Sequence, residues 1–171
     1  MSIKSSKREE SANISTPYNT SLLTTKVLLS ITEVGSNIKT NLQKKIAKMI
    51  EGKCIVEGYI KPDSVEIVSY SGGIVRNGFI DFTVSYTCKV CIPTEGMKME
   101  CNCKSITKAG IHAEVKDSDG NIPITVFIAH DHHIDNHAYE QVTEGSMILV
   151  KIIGIRFELN DNTICAIAEL L

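Results

Sequence analysis

Residues 92–115, I-P-T-E-G-M-K-M-E-C-N-C-K-S-I-T-K-A-G-I-H-A-E-V, decide how this chain is divided. Pro93 and Gly96 break one strand pattern and a second begins at once, so the stretch reads as a joint followed by the first hairpin of a small barrel. Met97, Met99, Cys101 and Cys103 alternate with Lys98, Glu100, Asn102 and Lys104, the period of two that turns one face of a strand inward. A turn at Thr107-Lys108-Ala109-Gly110 leads into Ile111 to Val115, which alternates again before Asp117-Ser118-Asp119-Gly120-Asn121 turns the chain once more.

Downstream of the joint, strands are predicted over 97–106, 111–117, 123–129, 146–158 and 163–170, with a longer insertion after the third. That count fits a five-stranded barrel of the oligonucleotide-binding class. Upstream, residues 1–21 are Ser, Thr, Asn and charge, a composition that buries too little surface to offset its ordering entropy, and they read as a flexible arm. Leu22 to Ile31 is β-rich. Ser36 to Ile50 carries Ile38, Leu42, Ile46, Met49 and Ile50 at helical spacing, with Ser36 to cap the start, lysines 44, 45 and 48 against the negative end of the dipole, and Gly52 to end it. Those lysines read first as a solvated face.

A strand over 54–61, a turn at Pro62-Asp63, a strand over 65–70 and a turn at Ser71-Gly72-Gly73 follow. Gly78 reads as a bulge ahead of Ile80 to Val90, in which every even position is apolar and every odd one polar. The expected architecture is an α+β unit over 22–92 followed by an all-β barrel over 93–171.

The stretch from Tyr86 to Glu114, together with E-G-K-C at 51–54, G-Y-I at 58–60 and P-x-x-G at 93–96, resembles the stalk subunit of multisubunit DNA-directed RNA polymerases, the family of the seventh subunit of eukaryotic polymerase II and its archaeal counterpart. The resemblance covers about residues 22–170. It implies a ribonucleoprotein-like tip domain followed by an S1-type barrel, in a non-catalytic subunit. It further implies a tip that docks on the polymerase core, a small helical partner subunit along the stalk, and a barrel face that meets nascent single-stranded RNA. The compact length, cysteine-rich joint and Asp-His-His segment look most like the versions of large cytoplasmic DNA viruses, which implies a viral factory and virion; a cellular version would be nuclear. The competing expectation is a free-standing S1 module acting on RNA or mimicking a translation factor.

Composition sets limits on these readings. With 171 residues and 43% apolar content the chain can bury the cores of two small domains. No run approaches the ~18 apolar residues of a membrane span, and Met1 to Glu10 lacks the apolar middle of a signal peptide, so a soluble intracellular protein is expected. The net charge of −2 hides an asymmetry: residues 1–83 carry 11 Lys or Arg against 8 Asp or Glu, and residues 84–171 carry 7 against 12. Because nucleic-acid affinity comes largely from counterions released by Lys and Arg, the acidic barrel is expected to bind RNA weakly. No P-loop, Gly-x-Ser-x-Gly or nucleophile with a base at defined spacing is present, so no catalytic residue and no cofactor is expected.

Two constellations invite a metal. Cys88-x-x-Cys91 with Cys101-x-Cys103 can be written as a four-thiolate zinc site, but strand parity sends Cys88 and Cys91 to opposite sides. Six cysteines without a secretory signal are expected as thiols, and the two on the Met97 and Met99 face as small buried hydrophobes. The run His130-Asp131-His132-His133-Ile134-Asp135-Asn136-His137 is dense in ligands, yet reads as a polar loop with no register to aim them, and the remote option of a metal-dependent hydrolase rests on it. No metal is expected at either place.

The expected sites are therefore surfaces. From the resemblance, Gly58, Tyr59, Ile60, Ser71, Gly72 and Gly73 fall at turns and strand ends near the tip and are expected to face the polymerase core. On the barrel, Lys104, Lys108, His112, Phe127, His130, Lys151 and Arg156 are the cations and stacking groups available to RNA. S1 domains that bind RNA well present aromatics in the turn and second strand, where this chain has Ala109 and His112, so weak, sequence-tolerant contact is expected.

Overall fold

The computed structural model describes residues 16–171. Residues 1–15, most of the expected arm, lie outside the described residues, and Asn19 to Ser21 already belong to a strand. The N-terminal half is built on β6 (Phe79–Cys91). One edge of β6 pairs along its whole length with β1 (Asn19–Ser30). The other edge takes three short strands in succession: β3 (Gly58–Ile60), β4 (Glu66–Tyr70) and β5 (Ile74–Arg76), with β2 (Cys54–Ile55) outside β3. Helix α1 (Ile38–Ile50) covers one face. The even positions of β6 meet it as the alternation requires: Phe82, Val84, Tyr86, Cys88 and Val90 share a core with Val27, Leu29, Leu42 and Ile46. Each such buried side chain contributes about 1.5–3 kcal/mol.

Several local readings are corrected. The helix begins at Ile38, and Ser36 does not cap it; a capping box sits instead on the separate 3-10 turn Ile31–Glu33, where Glu33 accepts from the Ser30 backbone N–H at 2.8 Å and from its hydroxyl at 3.0 Å. The single strand expected over 54–61 is a two-stranded hairpin, because Gly58 at φ 129° reverses the chain where a Cβ would collide with the Cys91 carbonyl oxygen. Gly78 is no bulge. Asn77 and Gly78 both have positive φ and form the tight turn joining β5 to β6, an Asn-Gly hairpin signal the alternation of the next strand obscured.

The C-terminal half is a closed barrel of β7 (Lys98–Ile106), β8 (Gly110–Val115), β9 (Ile124–Ala129), β10 (Met147–Arg156) and β11 (Ile164–Leu170). Its order is β10-β11-β9-β8-β7 with β7 returning to β10; β11 and β9 run parallel and every other pair antiparallel. All five strands expected from the sequence are present, and the order fits the oligonucleotide-binding barrel. The interior is filled by branched residues interleaved with small ones, among them Cys101, Cys103, Ala113, Ala166 and Ala168.

The two halves share contacts. Cys54, Tyr59 and Cys91 are register neighbours across β2, β3 and β6, and all three pack in the barrel's core rather than the core under α1. Cys54 N–H donates to the Asp161 carbonyl at 2.7 Å and its own carbonyl accepts from Asn160 N–H at 2.9 Å, tying β2 to the turn between β10 and β11. Tyr18 donates its hydroxyl to Asp117 at 2.9 Å, and Lys61 pairs with Asp119 while its ammonium lies 5.5 Å from the Tyr18 ring centre.

Asp117 makes this joint sensitive to acid. Partial burial opposes its charge, but hydrogen bonds from Asn121, Tyr18 and the Asp119 N–H outweigh that and hold the carboxyl below the usual aspartate range. With the folded pKa below the unfolded one, the stabilisation is complete above the ordinary range and is lost as pH falls towards the folded value. Asp117→Asn is expected to lower the melting temperature at pH 7 by a few degrees, and the gap to the unmodified protein should narrow at pH 3; an equal gap at both pH values contradicts this.

Candidate nucleic-acid interface

Along β8 the residues Ile111, Ala113 and Val115 face inward, so His112 and Glu114 face out. On β9 the same rule turns Phe127 outward, directly opposite His112 in the register. Their rings lie 5.0 Å apart at 51°. Gly110 opens this surface: a Cβ there would meet the Phe127 ring at 2.9 Å and collide with the Ile128 carbonyl, so only glycine lets the ring lie across the start of β8. Ile167 of β11, beside Phe127 in the parallel register and 53% exposed, extends the platform.

The expected cations gather only in part. Lys104, on β7, is tied to Glu114, which Lys116 also approaches at 3.8 Å. Lys108, in the turn before β8, lies at the same end of the barrel as His130, whose backbone N–H donates to the Ala109 carbonyl at 3.0 Å. Lys151 and Arg156 stand on β10, separated from the platform by β11, and each has an acidic neighbour: Glu169 at 3.1 Å for the lysine and Glu158 at 3.4 Å for the arginine. Among the described residues the seven therefore form a central pair, two groups at one end and two acid-neighboured cations on the far strand, with Lys104 held by Glu114.

The segment 130–137 is more ordered than its composition suggests. It forms a 3-10 turn at His130–His132 and a short helix α2 at His137–Glu140. His133 is buried: its Nδ1 lies 2.9 Å from the Ala129 carbonyl and its Nε2 accepts the Leu170 N–H at 2.9 Å, which fixes the tautomer with the proton on Nδ1. Tyr139 stacks on it at 5.2 Å, and His130 meets the same ring edge-on. With both nitrogens committed, His133 joins the end of β9 to the end of β11 and is no surface histidine. Sequence reasoning missed this role because the sequence gives no sign of where Leu170 arrives.

The expected docking residues divide. Gly58, Tyr59 and Ile60 are all buried, Tyr59 at 4% exposure in the barrel's core and Ile60 in the core under α1, so they are corrected from a surface for a partner to interior residues. Ser71, Gly72 and Gly73 are exposed at the opposite end of β6, where Ser71 N–H donates to the Thr83 carbonyl; eight residues of extended chain, or ~26 Å, separate Thr83 from Cys91. Around that distal loop Val68, Tyr70, Ile74, Val75 and Phe79 are exposed, an apolar cluster the sequence reading did not single out.

The thiols sort by the same strand parity. Cys88 packs under α1 whereas Cys91, Cys101 and Cys103 pack in the barrel core, so the Cys88 and Cys91 sulfurs lie in different cores. Burial pushes the Cys91 and Cys101 thiols up to about 12 and those of Cys54 and Cys88 to about 11, leaving no nucleophilic thiolate among them at neutral pH. Cys165 alone is exposed. A chromogenic disulfide reagent should therefore titrate one thiol per native chain, lost in Cys165→Ser, and six after denaturation; two or more fast-reacting thiols in the native protein contradict this packing.

No protein-family model matches the chain. Compared with curated proteins, it is 24% identical over 143 residues to DNA-directed RNA polymerase II subunit RPB7 of Glycine max, covering 74% of this chain and 78% of that one. It is 26% identical over 140 residues to DNA-directed RNA polymerase II subunit 7 of Arabidopsis thaliana, covering 72% and 76%. A protein of Acanthamoeba polyphaga mimivirus, named provisionally as a DNA-directed RNA polymerase subunit, is 25% identical over 171 residues, covering 90% and 82%. Each match is longer than either half of the chain, so the likeness takes in both the sheet unit and the barrel. Over most of its length the chain is similar to plant seventh subunits of DNA-directed RNA polymerase II and to a giant-virus protein provisionally named as a polymerase subunit.

Proposed function

We propose that this chain is the non-catalytic stalk subunit of a viral DNA-directed RNA polymerase, docked on the polymerase core by the far end of its N-terminal sheet and offering its barrel to nascent RNA. The observation that carries the reading is the exposed apolar cluster around Ser71, Gly72 and Gly73, at the end of β6 remote from the barrel. An apolar patch at one tip of a pair of domains is where a larger partner gains most from excluding water. Residues 22–92 act as the docking tip and residues 93–171 as the S1-like barrel. A small helical subunit alongside the stalk fits the same reading, as do the viral factory and the virion as its locations.

RNA contact on this reading is weak and indifferent to sequence. His112 and Phe127 give one stacking platform, worth ~1–3 kcal/mol per base, and three of the barrel's cations, Lys104, Lys151 and Arg156, have carboxylates for neighbours. Binding is expected through the phosphate backbone with a shallow salt dependence.

Docking is tested by affinity purification of a tagged chain from infected or reconstituted cells. Gly73 is unsuitable for substitution, since a Cβ there would press on Ile80 and on Phe82, the latter at 2.9 Å, whereas Gly72 has open space around it. Ile74→Asp with Val75→Asp, both exposed, should reduce recovery of the large polymerase subunits at least tenfold while the melting temperature stays within a few degrees. Undiminished recovery rejects the tip assignment.

A further inference from the structure

We propose that the outer face of the distal sheet end holds an anchor for an arginine side chain of the polymerase core, with the guanidinium on the Asp81 carboxylate and Leu28, Ile74 and Phe79 closing around it. This rests on the reading of the chain as a subunit docked by its distal end, and it names what that end grips. The face is defined by alternation: Val27, Leu29 and Phe82 pack in the core under α1, so Leu28, Phe79 and Asp81 point the other way. Asp81 stands opposite Leu28 on one side and opposite Ile74 on the other, so the three side chains form one row across β1, β6 and β5. Phe79, two residues along β6 from Asp81, borders that row. Leu28, Ile74 and Phe79 are all exposed.

At the centre of the row, the Asp81 Oδ1 is buried and accepts no hydrogen bond; among the described residues the Tyr139 hydroxyl is the one other buried side-chain polar atom left without a partner. Buried carboxylate oxygens are nearly always paired, because leaving a charged acceptor unsatisfied is costly. The chain's own cations do not serve it. Lys26 and Arg76 stand diagonally across from Asp81, opposite Thr83 and Phe79, at the ~7–8 Å spacing of such neighbours, and among the described residues neither forms an ion pair. Both are exposed, so salt and water screen their charge, whereas a group arriving over the apolar ring meets the carboxylate with water excluded. A polar centre enclosed by apolar side chains is the arrangement that dominates binding at protein interfaces, and arginine is among the residues enriched there. The guanidinium suits the place because it stays charged, is more weakly hydrated than an ammonium, and can set two parallel N–H donors on one carboxylate.

The test follows variants of the tagged full chain in two readouts, melting of the purified chain and recovery of the large polymerase subunits from infected or reconstituted cells. Asp81→Asn, close to the original in shape, should lower recovery at least tenfold while the purified chain melts at or above the temperature of the unmodified one, since a carboxylate kept for a partner costs stability until the partner arrives. Lys26→Gln with Arg76→Gln should leave recovery within twofold. A lower melting temperature for Asp81→Asn assigns the carboxylate to the chain's own cations and overturns the proposal. Loss of recovery in the Lys26→Gln, Arg76→Gln variant puts an acidic partner on this face and also overturns it. If Ile74→Asp with Val75→Asp loses the polymerase while Asp81→Asn keeps it, docking by the distal end stands and the arginine anchor is wrong. If neither variant lowers recovery, docking and anchor fall together. A purified chain that sediments as a dimer, and as a monomer in the Asp81→Asn variant, makes the occupant a second copy of this chain and overturns the polymerase assignment.

Discussion

Everything this molecule does depends on where the row Cys54, Tyr59 and Cys91 is buried. These residues belong to the N-terminal sheet by hydrogen bonding and to the barrel by packing. The polar links between Cys54 and the Asn160–Asp161 turn fix the register of that contact, and Gly58 gives the backbone the closeness it needs. Interfaces between domains of one chain are commonly polar and allow relative motion. This one is apolar at its centre, with a tyrosine worth about 1.5–3 kcal/mol in burial alone. The expected consequence is a stiff connection, so that a tip docked on a large partner would aim the barrel rather than let it swing.

Stiffness gives the electrostatics a geometry. The chain is nearly neutral overall, but its cations are concentrated in the first half and its acids in the second. On the barrel, carboxylates neighbour Lys104, Lys151 and Arg156, which on the proposed function suits a surface that touches a passing strand without holding it. Lys26 and Lys89, on the sheet, have no ion-pair partner among the described residues. A subunit built this way would guide a nascent chain by many shallow contacts, each screened by salt within about 8 Å at physiological strength.

How much of this was legible in the sequence follows from which interactions are local. The barrel strands and the inward faces of β6 and β7 were readable because a period of two is written in neighbouring residues, as Met97 to Lys104 and Ile80 to Val90 show. The parity that separates Cys88 from Cys91 was readable for the same reason. The hairpin at Gly58 was not, because the close approach that demands glycine comes from Cys91, far along the chain. Tyr59 and Ile60 were mistaken for surface because a G-Y-I strand looks alike whether it meets a partner or, as here, the chain's own barrel on one side and its helix α1 on the other. His133 was hidden among its polar neighbours, since its burial depends on Leu170. The local pattern fixes elements; the joint is made of residues that find each other only in the fold.

The most direct test of the rigid joint is native-state hydrogen exchange across a denaturant series, following amides of β6 in one half and β9 in the other. Shared burial of Cys54, Tyr59 and Cys91 predicts that the slowest amides of both strands converge on one opening free energy with one denaturant dependence. Two separate isotherms, with the barrel opening while β6 stays protected or the reverse, would contradict the claim that the halves form a single unit.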